Sequence, residues 1–436
     1  MTLIAIAAAV GLLILLIAAG RVPPFVAFII SAIAAALMLG LPLEQIPKSV
    51  ERGIGDMLGP LSIIICLGAM FGKLIADSGA AERISQSLIQ LFGMRRLSLA
   101  MALTGFIVGI PLFYNVGFVL MVPLIFSVIY RSKLPPLYAA IPMLAGLSIS
   151  HGFLPPHPSP AALVTQFGAD MGVTLIYGLL VGVPTLIVAG PLFAMTLRNV
   201  NATLPELFKP TQMNEADLPS TFNSFLCALL PVILIATATG ISYSGVAGDA
   251  LPLVNFIGNP IIGLLLSLAI GTYTLGFARG LAVGKLMQGY ADAVRDIAGI
   301  LLIVAGAGAL KQIFVDGGVN NELGALLANL PIHPLVLGWL VALVIRIALG
   351  SATVAGLTAA GIVTPLVHAS GVDPNWMVLA VGAGSLMCSH VNDSAFWMCK
   401  EYFNLSLKDT FRSWSLMETI VGSVGLVFVL LFSSWI

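Results

Sequence analysis

Charge is scarce in this sequence. Asp, Glu, Lys and Arg supply only 9% of its 436 residues, against about 25% in an ordinary soluble domain. Too little polar surface is available to cover a water-facing globule of this length, which excludes a soluble enzyme or binding domain. Net charge is absent as well, with 19 basic residues against 19 acidic ones, so there is no basic field of the kind a nucleic-acid partner needs. Cysteine is rare. Cys66, Cys227, Cys388 and Cys399 lie in or beside apolar segments without metal-ligand spacing, and they read as small packing residues. No basic n-region precedes the first apolar run, Leu3 to Gly20, so it reads as a membrane span rather than a signal peptide.

What the chain has in abundance is apolar sequence, 59% of all residues. Runs long enough to cross a hydrocarbon core of about 30 Å recur from end to end, predicting an all-α polytopic membrane protein. Spans are expected near 3–20, 24–41 and 58–76. The next apolar stretch, about 98–130, is interrupted by Gly109, Pro111 and Asn115, and each arm is short for a full crossing. It reads as a re-entrant hairpin, because irregular backbone at membrane depth is tolerated only where it is buried or lines a cavity. The span about 136–168 is broken by Pro155, Pro156, Pro158 and Pro160, and a further helix covers 172–197. A polar stretch, 199–221, links this half (1–198) to the second (222–436).

The second half follows the same plan, with spans near 222–242, 252–275 and 297–315, a hairpin about 334–369, a broken span about 374–405 and a last helix 413–435. Asp77-Ser78-Gly79 is echoed by Asp316-Gly317-Gly318, and Ile149-Ser150-His151 by Cys388-Ser389-His390, both at an offset of 239. Five spans and one returning hairpin per half give the halves opposite orientations, an inverted repeat of the kind found in secondary transporters. In this plan thirteen of the nineteen basic residues, from Arg21 and Arg83 to Lys408 and Arg412, fall on one side. That side is expected to be cytoplasmic, with both termini outside. Asp77 and Asp316, at helix ends before glycines, are expected to cap those ends.

Four interruptions converge in this plan, two hairpin tips and two broken helices. Helix ends at such breaks expose free N–H groups and a partial positive charge, which suits an anion. The richest polar stretch is Ser389 to Ser394, where His390, Asn392, Asp393 and two hydroxyls sit between apolar segments; ionisable groups there demand water, a partner or a ligand. The second hairpin tip supplies Arg346, Gly350, Ser351 and Thr353. Arg346 could grip a carboxylate through two parallel hydrogen bonds, or form a structural ion pair with Asp393. Ser351 and Thr353 offer hydroxyl donors, or bond carbonyls of their own helices. His151 shares the repeat position of His390, His157 lies between prolines, and Asn115 either caps the first hairpin or touches a ligand. Tyr114 and Trp397 read as packing or interface residues.

At these residues the sequence resembles the gluconate permease family of proton-coupled sugar-acid symporters. The resemblance spans nearly the whole chain. Its most specific segments are 68–73 (Gly-Ala-Met-Phe-Gly-Lys), 113–120 (Phe-Tyr-Asn-Val-Gly-Phe-Val-Leu), 151–158 (His-Gly-Phe-Leu-Pro-Pro-His-Pro), 346–355 (Arg-Ile-Ala-Leu-Gly-Ser-Ala-Thr-Val-Ala) and 389–393 (Ser-His-Val-Asn-Asp) with Phe396-Trp397. It implies uptake of gluconate or a related aldonate with protons across the bacterial inner membrane, and an elevator-type ion-transporter fold. A homo-oligomer, with a dimer favoured, follows by analogy. Members for D-serine and four-carbon sugar acids share the plan; the His151 and Ser389–Asp393 motifs sit closer to the gluconate branch. Two positions depart from many relatives. Asn115 stands where they carry an acid, and an amide cannot exchange a proton at physiological pH; Ser159 stands where they often have glycine.

The expected mechanism is therefore secondary active uptake, with no catalytic residue, metal or cofactor. The substrate carboxylate is placed at Ser351, Thr353 and Arg346, and its hydroxyls at Asn115, His151, His390, Asn392 and Ser394. Proton coupling falls to Asp393, His390 or His151, and sodium coupling stays open because broken-helix carbonyls bind that ion without a distinctive motif. The rival classes are an intramembrane enzyme built on His151, His157, His390 and Asp393, which lacks ligand spacing and a strained nucleophile, and a channel, which inverted hairpins argue against.

Overall fold

A computed structural model describes residues 2–435 except 113, 133, 201, 203–213, 245–247, 319–330, 391 and 392. Among the described residues the chain is helical with no strand. The first half contains α1 (Thr2–Ile14), α2 (Pro24–Met38), α3 (Gln45–Asp77), α4 (Ala80–Phe92), α5 (Leu97–Gly109), α6 (Tyr114–Ser132), α7 (Pro136–Phe153), α8 (Pro158–Phe167) and α9 (Met171–Ile187). The second contains α10 (Thr221–Ser244), α11 (Leu251–Gly258), α12 (Pro260–Gly271), α13 (Val283–Asp296), α14 (Ala298–Asp316), α15 (Pro334–Leu349), α16 (Ala352–Ser370), α17 (Pro374–Leu386), α18 (Ser394–Tyr402), α19 (Leu407–Thr410) and α20 (Leu416–Ser433).

Seven helices among the described residues are long and apolar enough to cross a membrane, and nine if each of two bent pairs is one span. The bent pairs lie within α3 and between α4 and α5, the second turning through 108°. The helices α1, α2 and α15 are apolar but shorter. Proline opens α2, α7, α8, α12, α15, α16's neighbour α17 and others at the first turn, where its missing N–H costs no helical hydrogen bond.

Two layers of burial are evident. The broken helices α7, α8 and α17, with α16, are buried on nearly all sides. Around them α9, α10, α12 and α20 expose Leu180, Val183, Ile187, Ile233, Leu265, Ile270, Val427 and Leu431. A soluble protein would not present so much apolar surface; against lipid tails it carries no penalty. Without a hydrophobic drive between helices in lipid, close packing has to supply the attraction. Small residues permit it: a Cβ on Gly53 would collide with the carbonyl of Gly308, and one on Gly308 with that of Gly53, so α3 and α14 meet backbone to backbone. The contact of α5 with α7 is made the same way by Gly105 and Gly146.

The interruptions fall where proline, glycine and polar residues cluster. Residues 110–113 separate α5 from α6, 154–157 separate α7 from α8, Gly350-Ser351 separate α15 from α16, and 387–393 separate α17 from α18. One expectation needs adjusting, and two others gain detail. The third helix begins at Gln45, well before residue 58, so Lys48 and Arg52 ride on a helix. Among the described residues, Asp77 pairs with Lys73 at 3.0 Å and Asp316 accepts from Gln312 at 2.8 Å, each one turn back along its own helix. Much of the linker lies outside the described residues, but its end is held, because Arg83 donates to the Pro219 carbonyl at 2.8 Å and Arg279 to that of Asp217.

Candidate functional site

The two breaks of the second half line a cavity of about 460 Å³, to which Tyr114, Ser148 and His151 are added from the first half, while among the described residues the first-half breaks themselves do not line it. The volume is within the range typical of small-molecule sites. Helix α15 ends at Arg346–Leu349, and Gly350 closes it in the left-handed conformation, φ +73°, with its N–H on the Arg346 carbonyl at 3.0 Å. Ser351 then caps α16, accepting from the Val354 N–H at 3.4 Å. Ser351, Ala352 and Thr353 face the cavity, so the first turn of α16 presents hydroxyls and a helix N-terminus to whatever fills it.

Asp393 caps α18, one carboxylate oxygen accepting from the Ala395 N–H at 3.0 Å. The other oxygen receives Arg346 Nη2 at 2.5 Å and the Ser389 hydroxyl at 2.5 Å. Ser389 is in turn held by the indole N–H of Trp414 at 2.7 Å. Of the two alternatives for Arg346, the ion pair with Asp393 is therefore formed, with side-chain exposures of 3% and 13%. Yet Nε and Nη1 of Arg346 are buried with no partner, and Arg346 lines the cavity. The guanidinium keeps donors in hand for a second acceptor.

His151 also lines the cavity, with Nδ1 buried and unpartnered and its ring 6.1 Å from that of Tyr114. His157 does structural work: Nε2 lies 2.7 Å from the Gly109 carbonyl, tying the break after α7 to the end of α5, while Ser150 donates to the Phe106 carbonyl at 2.8 Å. His390 turns away from the cavity, its Nε2 2.9 Å from the Ile347 carbonyl. Ser394, in the first turn of α18, lines the cavity. Asn115 falls in the first turn of α6 with its side chain outside the described residues, as is all of Asn392. Trp397 is 41% exposed, as an interface residue should be.

Several cavity residues carry no weight in the sequence reading. Tyr114, taken there for packing, presents its ring to the cavity and has a buried hydroxyl without a partner. Ser148, Trp414 and Glu418 also line it, as does Asp296 at the end of α13. The signal for Glu418 was available, since it is the one charged residue in the apolar run 416–433. Among the described residues no cluster of His, Cys, Asp and Glu could hold a metal ion. The arrangement can bind a small anion with several hydroxyls, but it offers no activated nucleophile.

Comparison with known proteins agrees in kind. The family description "GntP family permease" matches residues 1–435. The chain is 44% identical to the high-affinity gluconate transporter of Escherichia coli (strain K12), covering 99% of each chain. It is 43% identical to the Gnt-II system L-idonate transporter of the same organism, over 99% of this chain and 98% of that one. A gluconate permease of Pseudomonas aeruginosa is 45% identical over 97% of this chain and 95% of its own. Among solved structures, the Alcanivorax borkumensis YdaH transporter has the same fold, with a TM-score of 0.66 at 15% identity over 94% of this chain and 97% of that one. A multi-pass helical chain whose broken helices enclose an arginine-bearing cavity, and whose full length matches these permeases, belongs to the GntP permease family: it is a transporter and not an enzyme.

Proposed function

We infer that this protein imports gluconate or a closely related sugar acid by secondary active transport across the bacterial inner membrane. The observation that carries this reading is Arg346, which is neutralised by Asp393 through one nitrogen and keeps two buried donor nitrogens, Nε and Nη1, without a partner at the cavity. An incoming carboxylate satisfies those donors, which would otherwise cost about 1–3 kcal/mol each. The N-terminus of α16, with Ser351 and Thr353, would meet the same group, and His151, Ser394 and Tyr114, which line the cavity, would meet a polyol chain. The names of the relatives support the substrate class, since gluconate and L-idonate are both six-carbon aldonates.

The transport cycle we read as alternating access by an elevator-type movement of two inverted repeats, residues 1–198 and 222–436. In support, each half contains an interrupted helix pair followed by a broken helix, α5/α6 then α7/α8 and α15/α16 then α17/α18. The basic-residue count supports a cytoplasmic linker and termini outside. Asp296, Ile297 and Ile300 line the cavity next to Arg295, on the side assigned to the cytoplasm, so the state described reads as inward-facing. The assembly we read as a homodimer on the family resemblance, which cross-linking in native membranes tests.

The deciding experiment is uptake into proteoliposomes with gluconate, idonate, D-serine and four-carbon sugar acids under separately imposed pH and sodium gradients. Saturable, pH-driven accumulation of a six-carbon aldonate with counterflow supports the reading. Accumulation of D-serine instead, or dependence on sodium alone, replaces the substrate or the ion, and non-saturable flux replaces the transporter with a channel.

A further inference from the structure

Two of the three ionisable groups that the sequence nominates for coupling, Asp393 and His390, are poorly placed to exchange a proton with the cavity; the third, His151, lines it with a buried, unpartnered Nδ1. Asp393 is held by Arg346, Ser389 and the Ala395 N–H together, and His390 is occupied with the Ile347 carbonyl outside the cavity. A different carboxyl group meets the requirement. Glu418 stands in the first turn of α20, 2% exposed, and lines the cavity. One oxygen accepts from the Ser148 hydroxyl at 2.9 Å, and the other, Oε1, is buried without any partner. Among the described residues no cation is paired with it, and Arg346, whose charge acts on it, already has Asp393.

We propose that Glu418 is the proton-binding acid of the transport cycle, loaded together with the anionic substrate. The electrostatic reasoning is short. Arg346 and Asp393 cancel, so with Glu418 ionised a bound carboxylate becomes a second uncompensated negative charge in one buried cavity. With Glu418 protonated it is the only buried one, since Asp296 is exposed, and the new O–H donates to the substrate or to a water between them. Anion and proton therefore raise each other's affinity, and linkage makes the effect reciprocal. A proton taken from outside with the sugar acid leaves to the cytoplasm when the sugar acid does. The titratable and charged groups that face Glu418 are Arg346, Asp393, His151, Tyr114, Cys399 and Asp296. Helix α17 has no titratable residue, Tyr177 of α9 stacks on Trp376, and Arg412 is exposed. Only Glu418 among the acids at the cavity combines burial with an unpartnered oxygen.

This inference rests on the transport reading above, and the test separates the two. Wild type, Glu418→Gln, Glu418→Asp and His151→Gln are reconstituted and assayed with gluconate for pH-driven accumulation and for counterflow without a gradient. Proton uptake on binding is measured by calorimetry in buffers of different ionisation enthalpy. Glu418→Gln is expected to lose accumulation and binding-linked proton uptake while counterflow persists and becomes insensitive to pH; Glu418→Asp is expected to recover accumulation in part, and His151→Gln, at the substrate site, to weaken binding while keeping proton uptake per substrate bound. Full uphill uptake by Glu418→Gln, or transfer of the proton-uptake defect to His151→Gln, overturns the assignment. So does loss of counterflow in Glu418→Gln with an intact thermal melt, which would make Glu418 a substrate ligand. If wild type moves no sugar acid at all, it is the transport reading that fails.

Discussion

Arg346 and Asp393, 47 residues apart in sequence, meet at 2.5 Å with Arg346 97% hidden from solvent, and the pair joins the end of α15 to the start of α18. It ties the two breaks of the second half to each other and leaves Nε and Nη1 of the guanidinium buried without a partner.

Removing one member of a buried pair strands the other charge, at a cost of about 3–5 kcal/mol. Arg346→Ala is therefore expected to lower the melting temperature in detergent sharply. Arg346→Met with Asp393→Leu should recover much of that stability, and neither variant should transport. A single Arg346→Ala as stable as wild type would show that the pair does not hold the breaks together.

Arg346→Lys keeps the charge near Asp393 but loses the planar fork of donors. Stability is expected to change little, while KM for gluconate uptake rises about tenfold or more, as for one lost charge-assisted hydrogen bond. An unchanged KM would place the substrate carboxylate elsewhere.

The first turn of α16 is tested by Ser351→Ala with Thr353→Ala. Two lost hydrogen bonds to a carboxylate, about 1.5 kcal/mol or more each, predict binding weaker by roughly a hundredfold or more. Equal substrate affinity in the double variant and wild type, measured by calorimetry, would count against this tip as part of the site.

Trp414 acts through Ser389, to which its indole N–H donates at 2.7 Å. Trp414→Phe keeps the ring against Tyr114 and removes the donor, so a loss of about 1 kcal/mol of stability is expected. Substrate affinity should fall modestly, because Ser389 no longer steadies Asp393. Normal melting and normal affinity together would reduce Trp414 to packing.

The close contact of α3 with α14 depends on Gly53 and Gly308 having no side chains. Gly308→Val should cost about 1–3 kcal/mol or more through overpacking, read as reduced yield and melting temperature. A variant as stable as wild type would mean the helices can separate freely.

The breaks were legible in the sequence because proline, glycine and polar clusters end helices by local chemistry: Pro155-Pro156, Gly350-Ser351 and the Ser389–Asp393 stretch each interrupt a helix where they stand. The apolar runs and the scarcity of charge were sufficient for a polytopic helical protein, since a bilayer accepts little else. The tertiary structure alone decided which side chains share the cavity. His390, prominent in sequence, bonds a backbone carbonyl, while Glu418, which the sequence reading passes over, lines the cavity. Helix ends depend on neighbours within a few residues, whereas the company of Arg346, Asp393, Ser148 and Glu418 depends on how segments far apart in the chain pack, and no local signal carries that.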